Sequence, residues 1–184
     1  MAHVALDPAY RRMSVEEFLA LDLRGAKAEL EDGLLYMMTG GSEAHSRNAV
    51  NIIIALGARL RGSGCRPYNS DFAVRTGERS VRFPDVSVYC NNPAAPENRD
   101  KQLLGDPRVV FEVLSPSTSS LDQTVKRDEY LALPGLTDIV FVDPVRERIR
   151  HVRRRSDEWL EPGSDLVLES INVVIPQAEI FADD

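Results

Sequence analysis

Two acidic residues and a lysine, each placed near the end of an apolar segment, suggest a divalent-metal site in this chain. Asp85 opens one apolar run, Glu112 interrupts another, and Lys126 with Tyr130 follows on a predicted helix. Mg²⁺ and Mn²⁺ prefer oxygen ligands and keep several waters, so two carboxylates and a main-chain carbonyl would suffice for an open site. Such an ion can activate water and stabilise charge on a phosphate.

Glu112 is the strongest of these signals, because it lies within Val109–Leu114, whose apolar composition predicts a strand buried on both faces. Burying a carboxylate without a partner costs several kcal/mol or forces the group to take up a proton. The sequence therefore predicts a cation, a metal ion or strong hydrogen-bond donors close to Glu112.

The helix predicted after Glu112 places Asp122, Lys126 and Tyr130 four residues apart, so all three project from one face. In a cleft, the Lys126 ammonium would stabilise the transition state electrostatically. On an exposed helix, Asp122 and Lys126 would only form an ion pair worth about 0.2 to 0.5 kcal/mol. Both interpretations remain open at the level of the residues.

Length and composition favour one globular domain over residues 1–184, since 43% of the residues are hydrophobic. No stretch approaches the roughly 20 apolar residues of a membrane span, and residues 1–7 lack a leader pattern, so we expect a cytoplasmic protein without a membrane partner. Residues 1–12 are expected to be extended.

The formal net charge of -7 argues against a protein that coats nucleic acid by bulk electrostatics. One basic cluster could still face phosphates. The favoured alternative is an exposed hairpin whose arginines pair with Glu147, Asp157 and Glu158. The cluster comprises Arg146, Arg148, Arg150, Arg153, Arg154 and Arg155.

Cysteine and histidine usage predicts neither a zinc site nor a disulfide. Cys65 and Cys90 are far apart and belong to no CxxC pattern, so we expect two reduced cysteines. His45 is a candidate for a polar contact at the cleft, although a lone histidine on a helix is more often structural or exposed.

Local signals outline the elements that must position these residues. Ser14 and Glu17 form a capping-box pattern for a short helix, and Glu31–Gly33 predicts a hairpin turn. A long helix is predicted over Glu43–Arg61 with Ser42 as N-cap. Its predicted apolar face comprises Val50, Ile53, Ile54, Leu56 and Leu60.

The apolar runs at 109–114 and 139–142 indicate central strands covered on both faces. Strands are also predicted at about 66–75, 81–89 and 148–154, with a loop at 91–106 and a helix ending near Leu133. Because helices and strands alternate irregularly, the predicted fold class is α/β, with a mixed central sheet flanked by helices.

At these residues the chain resembles the Uma-two family of restriction-endonuclease-like proteins in the PD-(D/E)XK nuclease superfamily. The order and spacing of the motifs make the resemblance specific, and it covers most of the chain. The matching segments are Met13–Phe18, Glu29 before Asp32-Gly33, Met38 with Ser42 and His45, Arg82–Val86, Glu112–Thr118, Asp122, Lys126, Tyr130 and Val142–Pro144.

The resemblance implies a restriction-endonuclease-like fold and hydrolysis of nucleic-acid phosphodiesters, with DNA as the favoured substrate. It also implies that Mg²⁺ or Mn²⁺ is held by Asp85, Glu112 and the main-chain carbonyl of Val113. Glu29 matches an acid that the superfamily often supplies from an earlier element. A homodimer would be compatible with this function.

The sequence departs from the superfamily pattern at Leu114, where a lysine is expected two residues after the second acid. In the Uma-two pattern, a lysine on the following helix resembles the replacement, and here that residue is Lys126. A second departure is Leu34, where the family commonly has an acid. The alternative hypothesis is therefore an inactive nuclease fold that binds protein or nucleic acid.

Overall fold

The computed structural model describes residues 11–115 and 120–183, and the side chains of residues 120–122 are excepted. In chain order, the α-helices are α1 (Val15–Leu19), α2 (Glu43–Arg59), α3 (Ser120–Leu131) and α4 (Gln177–Ile180). The extended structure predicted for residues 1–12 falls largely outside the described residues. The predicted role of the Asp122 side chain does so as well.

The described residues form twelve β-strands. They are β1 (Ala28–Glu31), β2 (Leu34–Met37), β3 (Arg66–Asn69), β4 (Val74–Gly77), β5 (Ser80–Arg82), β6 (Val86–Tyr89), β7 (Val109–Val113), β8 (Asp138–Asp143), β9 (Arg148–Arg153), β10 (Ser156–Trp159), β11 (Asp165–Leu168) and β12 (Val173–Pro176).

A six-stranded mixed sheet with the order β10-β9-β8-β7-β6-β3 forms the centre of the fold. Strands β7 and β8 pair in parallel, with Val109 opposite Asp138, and α3 lies in the connection between them. The other neighbours in this sheet pair antiparallel. A parallel pair needs such a crossover, which returns the chain across a face of the sheet.

Both central strands are buried along their whole length, as their apolar composition predicts. Phe111 and Val113 of β7 pack on the side of α2, whereas Val110 packs on the side of α3 with Tyr130. The alternation along β7 directs Glu112 to the α3 side, where Tyr130 receives it. The charged residue therefore faces the helix on which its partners were predicted.

A second sheet with the order β2-β1-β5-β4 begins with the predicted hairpin. Asp32 and Gly33 both have positive φ, 44° and 81°, as a two-residue turn of this kind requires. The capping box at α1 is also confirmed, since the Ser14 hydroxyl accepts from Glu17 N and the Glu17 carboxylate accepts from Ser14 N.

The long helix is confirmed with Ser42 as its N-cap, and it ends at Arg59 rather than Arg61. Its predicted apolar face was partly wrong. Ile52 and Leu56 are fully buried, whereas Val50 and Ile54 are 52% and 64% exposed. Apolar residues occur on both sides of α2, so periodicity alone did not identify the side that packs against the sheet.

The expectation of two reduced cysteines was wrong, because Cys65 and Cys90 form a disulfide. Strands β3 and β6 pair antiparallel with Arg66 opposite Tyr89, which brings the residues just beyond that pair face to face. The 25-residue separation in sequence concealed this pairing.

The basic segment forms the β9–β10 hairpin that was favoured over a phosphate-facing strand, but the hairpin is only partly exposed, because Ile149, His151 and Val152 of β9 are buried. Of the three predicted acids, Asp157 and Glu158 pair with arginines, whereas the described residues show no ion pair of Glu147. Arg150 pairs with Asp157 at 2.6 Å, and Arg153 pairs with Glu158 at 3.1 Å. The segment predicted as one strand over 66–75 is divided into β3 and β4, and the one predicted over 81–89 is divided into β5 and β6, which belong to different sheets. Among the helices that the structure describes, none has the length and apolar composition needed to cross a membrane.

Candidate active site

Side chains from four elements and one loop meet around Glu112 and the end of β7. Glu29 projects from β1, Asp85 immediately precedes β6, and Glu112 projects from β7. Helix α3 contributes Lys126 and Tyr130, and the first turns of α2 contribute His45. Of the residues predicted from the sequence, only Asp122 cannot be placed, because its side chain is not described.

Glu112 is buried, and its carboxylate contacts two side chains of α3. The Tyr130 hydroxyl donates a 2.7 Å hydrogen bond to Glu112 Oε1, and Lys126 Nζ lies 3.5 Å from the same carboxylate. Burial raises the pKa of Glu112 to about 7, opposed by the Lys126 charge and reinforced by the charges of Asp85 and Glu29. Glu112 therefore lies in a negative local field that additional positive charge would relieve.

Lys126 points into the acidic cluster and not along an exposed helix face. Its Nζ lies 3.2 Å from Glu29 Oε1, and only 13% of its side chain is exposed. The ammonium thus lies between acids from β1 and β7. This position brings a lysine to both acids although residue 114, just after β7, is Leu114.

Asp85 is held from two directions. Its Oδ2 accepts a 2.7 Å hydrogen bond from the Val113 main-chain N–H and lies 3.3 Å from His45 Nε2. The hydrogen bond with Asp85 is the main cause that raises the pKa of His45, and the Val113 main chain acts in the same direction. His45 thus contacts both Asp85 and the end of β7.

Sequence reasoning missed the role of Arg82, which is 1% exposed. Its guanidinium donates to Glu129 Oε2 at 2.7 Å, Glu31 Oε2 at 2.7 Å and Glu29 Oε2 at 3.1 Å. Burial alone would lower the pKa of Arg82, but the hydrogen bonds to Glu129 and the charge of Glu29 raise it overall. Arg82 therefore holds one oxygen of Glu29 while Lys126 contacts the other.

The only sequence signal for this hub was an arginine three residues before Asp85. Its acidic partners lie 47 to 53 residues away along the chain, so no local pattern could reveal them. Glu129, immediately before Tyr130, also accepts from Thr76 at 2.8 Å. Of these two adjacent residues of α3, Glu129 thus contacts Arg82 and Tyr130 contacts Glu112.

The oxygen donors around Asp85 and Glu112 are of the kind that binds Mg²⁺ or Mn²⁺. Asp85, Glu112 and the Val113 carbonyl supply only oxygen atoms, which is the ligand type these ions prefer. Four carboxylates contact Arg82 or Lys126, the two cations named at the site, and these are Glu29, Glu31, Glu112 and Glu129. Within the described ranges, no group of three His, Cys, Asp or Glu side chains is already arranged around one point.

Comparison with known proteins gives one family. The family model described as "Uma2: Putative restriction endonuclease" matches residues 15–180. An uncharacterized protein of Synechocystis sp. is 32% identical over 180 residues, covering 94% of this chain and 93% of that protein. A second uncharacterized Synechocystis protein is 26% identical over 136 residues, covering 73% and 76%.

Among solved structures, the chain is similar to the crystal structure of a putative nuclease belonging to DUF820 from Anabaena variabilis. The TM-score is 0.80 at 18% sequence identity, with 92% of this chain and 98% of that chain covered. At this identity the likeness concerns the fold. The predicted mixed α/β fold class is confirmed.

Proposed function

The chain belongs to the Uma2 family, described as putative restriction endonucleases, and on that premise we propose that it is a metal-dependent nuclease. The proposed reaction is hydrolysis of a nucleic-acid phosphodiester by water, with DNA as the favoured substrate and the cytoplasm as the place of action. The single observation that most supports this function is the position of Lys126 beside both Glu29 and Glu112.

In this proposal, Asp85, Glu112 and the Val113 carbonyl would hold Mg²⁺ or Mn²⁺. When bound, the ion would lower the pKa of a water molecule and offset charge on the scissile phosphate. Lys126 stabilises the negative charge that develops in the transition state. Tyr130 orients the Glu112 carboxylate through its 2.7 Å hydrogen bond.

His45 and Glu29 act as positioning residues in this scheme. His45 Nε2 lies 3.3 Å from Asp85 Oδ2 and steadies that carboxylate, and the Val113 N–H does so from the strand. Glu29 holds the Lys126 ammonium at 3.2 Å and is itself held by Arg82 at 3.1 Å. The acids are thus fixed before substrate arrives, which lowers the reorganisation needed during reaction.

The rival function is an inactive binding module, and Leu114 is the observation that favours it. The buried acids Glu29 and Glu112 need a cation beside them in either case. The cluster of acids itself favours the catalytic interpretation, because a binding module gains nothing from burying several carboxylates at one point.

Calorimetric titration of Mn²⁺ into the wild type and into Glu112→Gln tests the metal site directly. We expect binding in the wild type, loss of binding in Glu112→Gln, and unchanged binding in Glu97→Gln, whose acid is exposed in the 91–106 loop. The titration is repeated with a short DNA carrying phosphorothioates, because substrate phosphate can complete the coordination. Absence of wild-type binding in both titrations would overturn the metal-dependent mechanism.

Cleavage is then measured with supercoiled plasmid, single-stranded DNA and RNA in Mn²⁺. Asp85→Ala and Glu112→Gln should abolish cleavage while circular dichroism shows an unchanged fold. Wild-type cleavage in both variants would remove these acids from the mechanism. Wild-type Mn²⁺ binding without cleavage of any of the three substrates would favour the binding module.

A further inference from the structure

The exposed face of α2 has an unusual composition for a solvent-facing helix. Val50 and Ile54 are 52% and 64% exposed and lie one turn apart. Gly57 continues this line toward the C-terminus, whereas Arg47 and Glu43 continue it toward the N-terminus. We call Glu43, Arg47, Val50, Ile54, Gly57 and Arg61 the α2 stripe.

We infer that the α2 stripe pairs with the same stripe of a second copy of this chain, the two helices running antiparallel about a two-fold axis level with Ile52. The spacing of the stripe alternates between four and three residues, which is the seam spacing of paired helices. An interface of this symmetry must be complementary to itself.

The α2 stripe meets this requirement position by position. In an antiparallel pair, residues equally far from Ile52 on either side face each other. Val50 therefore faces Ile54 of the other copy, and Arg47 faces Gly57. Glu43 faces Arg61, which lies in the turn just beyond the helix. The pairing is apolar in the middle and of opposite charge at its two ends.

An open groove lies beside the C-terminal half of the stripe. It has a volume of about 910 Å³ and is lined by Ile54, Gly57, Ala58, Arg61 and Arg66 among others. Apart from the adjoining residues and backbone of α2 itself, no atom of the described residues lies within 4 Å of the point that a Cβ on Gly57 would occupy. The small residues thus leave room for the close approach of the second helix, whose Arg47 stays paired with Glu43 and Asp183 of its own chain.

The charges along the α2 stripe favour a second copy of this chain over a nucleic acid. The groove lining includes Arg61 and Arg66 and no acidic residue within the described part of the chain. The opposite end of the stripe exposes Glu43, whose side chain is 77% exposed. Arg47 pairs with Glu43 and with Asp183, so this end carries two acids and one arginine. Antiparallel pairing brings this end to the basic groove twice, and it also opposes the two helix dipoles. A nucleic acid lying along the stripe would instead meet Glu43.

Sedimentation equilibrium at protein concentrations from about 1 to 200 μM tests the pairing without metal or nucleic acid. Its outcome is therefore independent of the proposed nuclease function. We expect a reversible dimer in the wild type and a monomer in Ile54→Glu. The matched control is Val174→Glu, which places the same charge at a residue 45% exposed on β12 and should leave the dimer intact.

Charge reversal tests the antiparallel register. Glu43→Arg and Arg61→Glu should each raise the dimer Kd about tenfold, whereas the double variant should restore it to near the wild-type value. Circular dichroism and melting of each variant verify that α2 remains folded. A wild-type monomer at all concentrations, or a dimer that survives Ile54→Glu, overturns the inference. A double variant no tighter than the two single variants overturns the register.

Discussion

The Tyr130 hydroxyl and the Glu112 carboxylate form a buried hydrogen bond of 2.7 Å that joins α3 to the central strand β7. Both residues are almost inaccessible to solvent, with Tyr130 at 0% and Glu112 at 8% exposure. The bond connects the catalytic hypothesis to the stability of the fold, because its loss leaves a buried carboxylate with fewer donors.

Tyr130→Phe should therefore destabilise the protein by about 1.5 to 3 kcal/mol at pH 8, where Glu112 is ionised. Urea unfolding monitored by circular dichroism measures this change. Tyr36→Phe is the matched control, since Tyr36 is 49% exposed, and it should change stability by less than about 0.5 kcal/mol. Equal effects of the two substitutions would contradict the assigned role of the bond.

Glu112 should make the stability of the metal-free protein depend on pH. Folding raises the Glu112 pKa from 4.5 to about 7, so the folded state binds more protons than the unfolded state between these values. Wild-type stability should fall as pH rises from about 5 to 8. Glu112→Gln should lack this contribution, which is at most about 3 kcal/mol.

The measurement compares urea unfolding of both proteins at pH 5 and pH 8 in the presence of a chelator. Parallel pH profiles for the two proteins would show that the Glu112 carboxylate does not titrate in this range.

Arg82→Met should be among the most destabilising substitutions, at about 3 to 5 kcal/mol, because it leaves three acids without their buried cation. Arg82→Lys should recover only part of this loss, since one ammonium cannot reproduce the forked contacts with Glu129. Thermal melting measures both. Arg79→Met is the control, because its pair with Asp32 is largely exposed.

Lys126→Ala should separate catalysis from metal binding. We expect cleavage to fall by about 10² to 10³, the range for removal of one group that stabilises transition-state charge. Mn²⁺ affinity should be unchanged or increased, because the competing ammonium near Glu112 is gone. Loss of Mn²⁺ binding in this variant would assign Lys126 to the metal site's structure and not to the chemical step.

The disulfide predicts the thiol content of the purified protein. In denaturant without reductant, a thiol reagent should detect no free cysteine, and after reduction it should detect two. Two reactive thiols before reduction would restore the original expectation of reduced cysteines.

Much of the fold followed from local patterns. The buried run around Glu112 predicted a central strand, and Asp32-Gly33 predicted the β1–β2 turn that the structure contains. Burial of Glu112 also predicted nearby donors, and Lys126 and Tyr130 supply them. The strand and the turn were predictable because each depends on residues close together in sequence, and the donors were predictable because a buried carboxylate requires them.

The inferences that failed depend on contacts between distant segments. Arg82 gains its partners from β1 and α3, and the cysteines meet only because β3 and β6 pair. The buried face of α2 could not be chosen, since Ile52 and Ile54 are equally apolar and only the sheet decides between them. Only the packing of the folded chain determines these three sets of contacts.

The location of Lys126 on α3 has a consequence for how such sites vary in evolution. A lysine on the strand keeps a constant distance in sequence from the acid, so insertions nearby would displace it. On α3 the lysine depends on helix phase, where one added residue turns it by about 100°. An insertion before α3 can therefore leave the direction of Lys126 unchanged, whereas an insertion within α3 turns it away from the acids. A search for the acid and lysine at the usual two-residue interval would pass over this chain, although its ammonium lies beside the same acids.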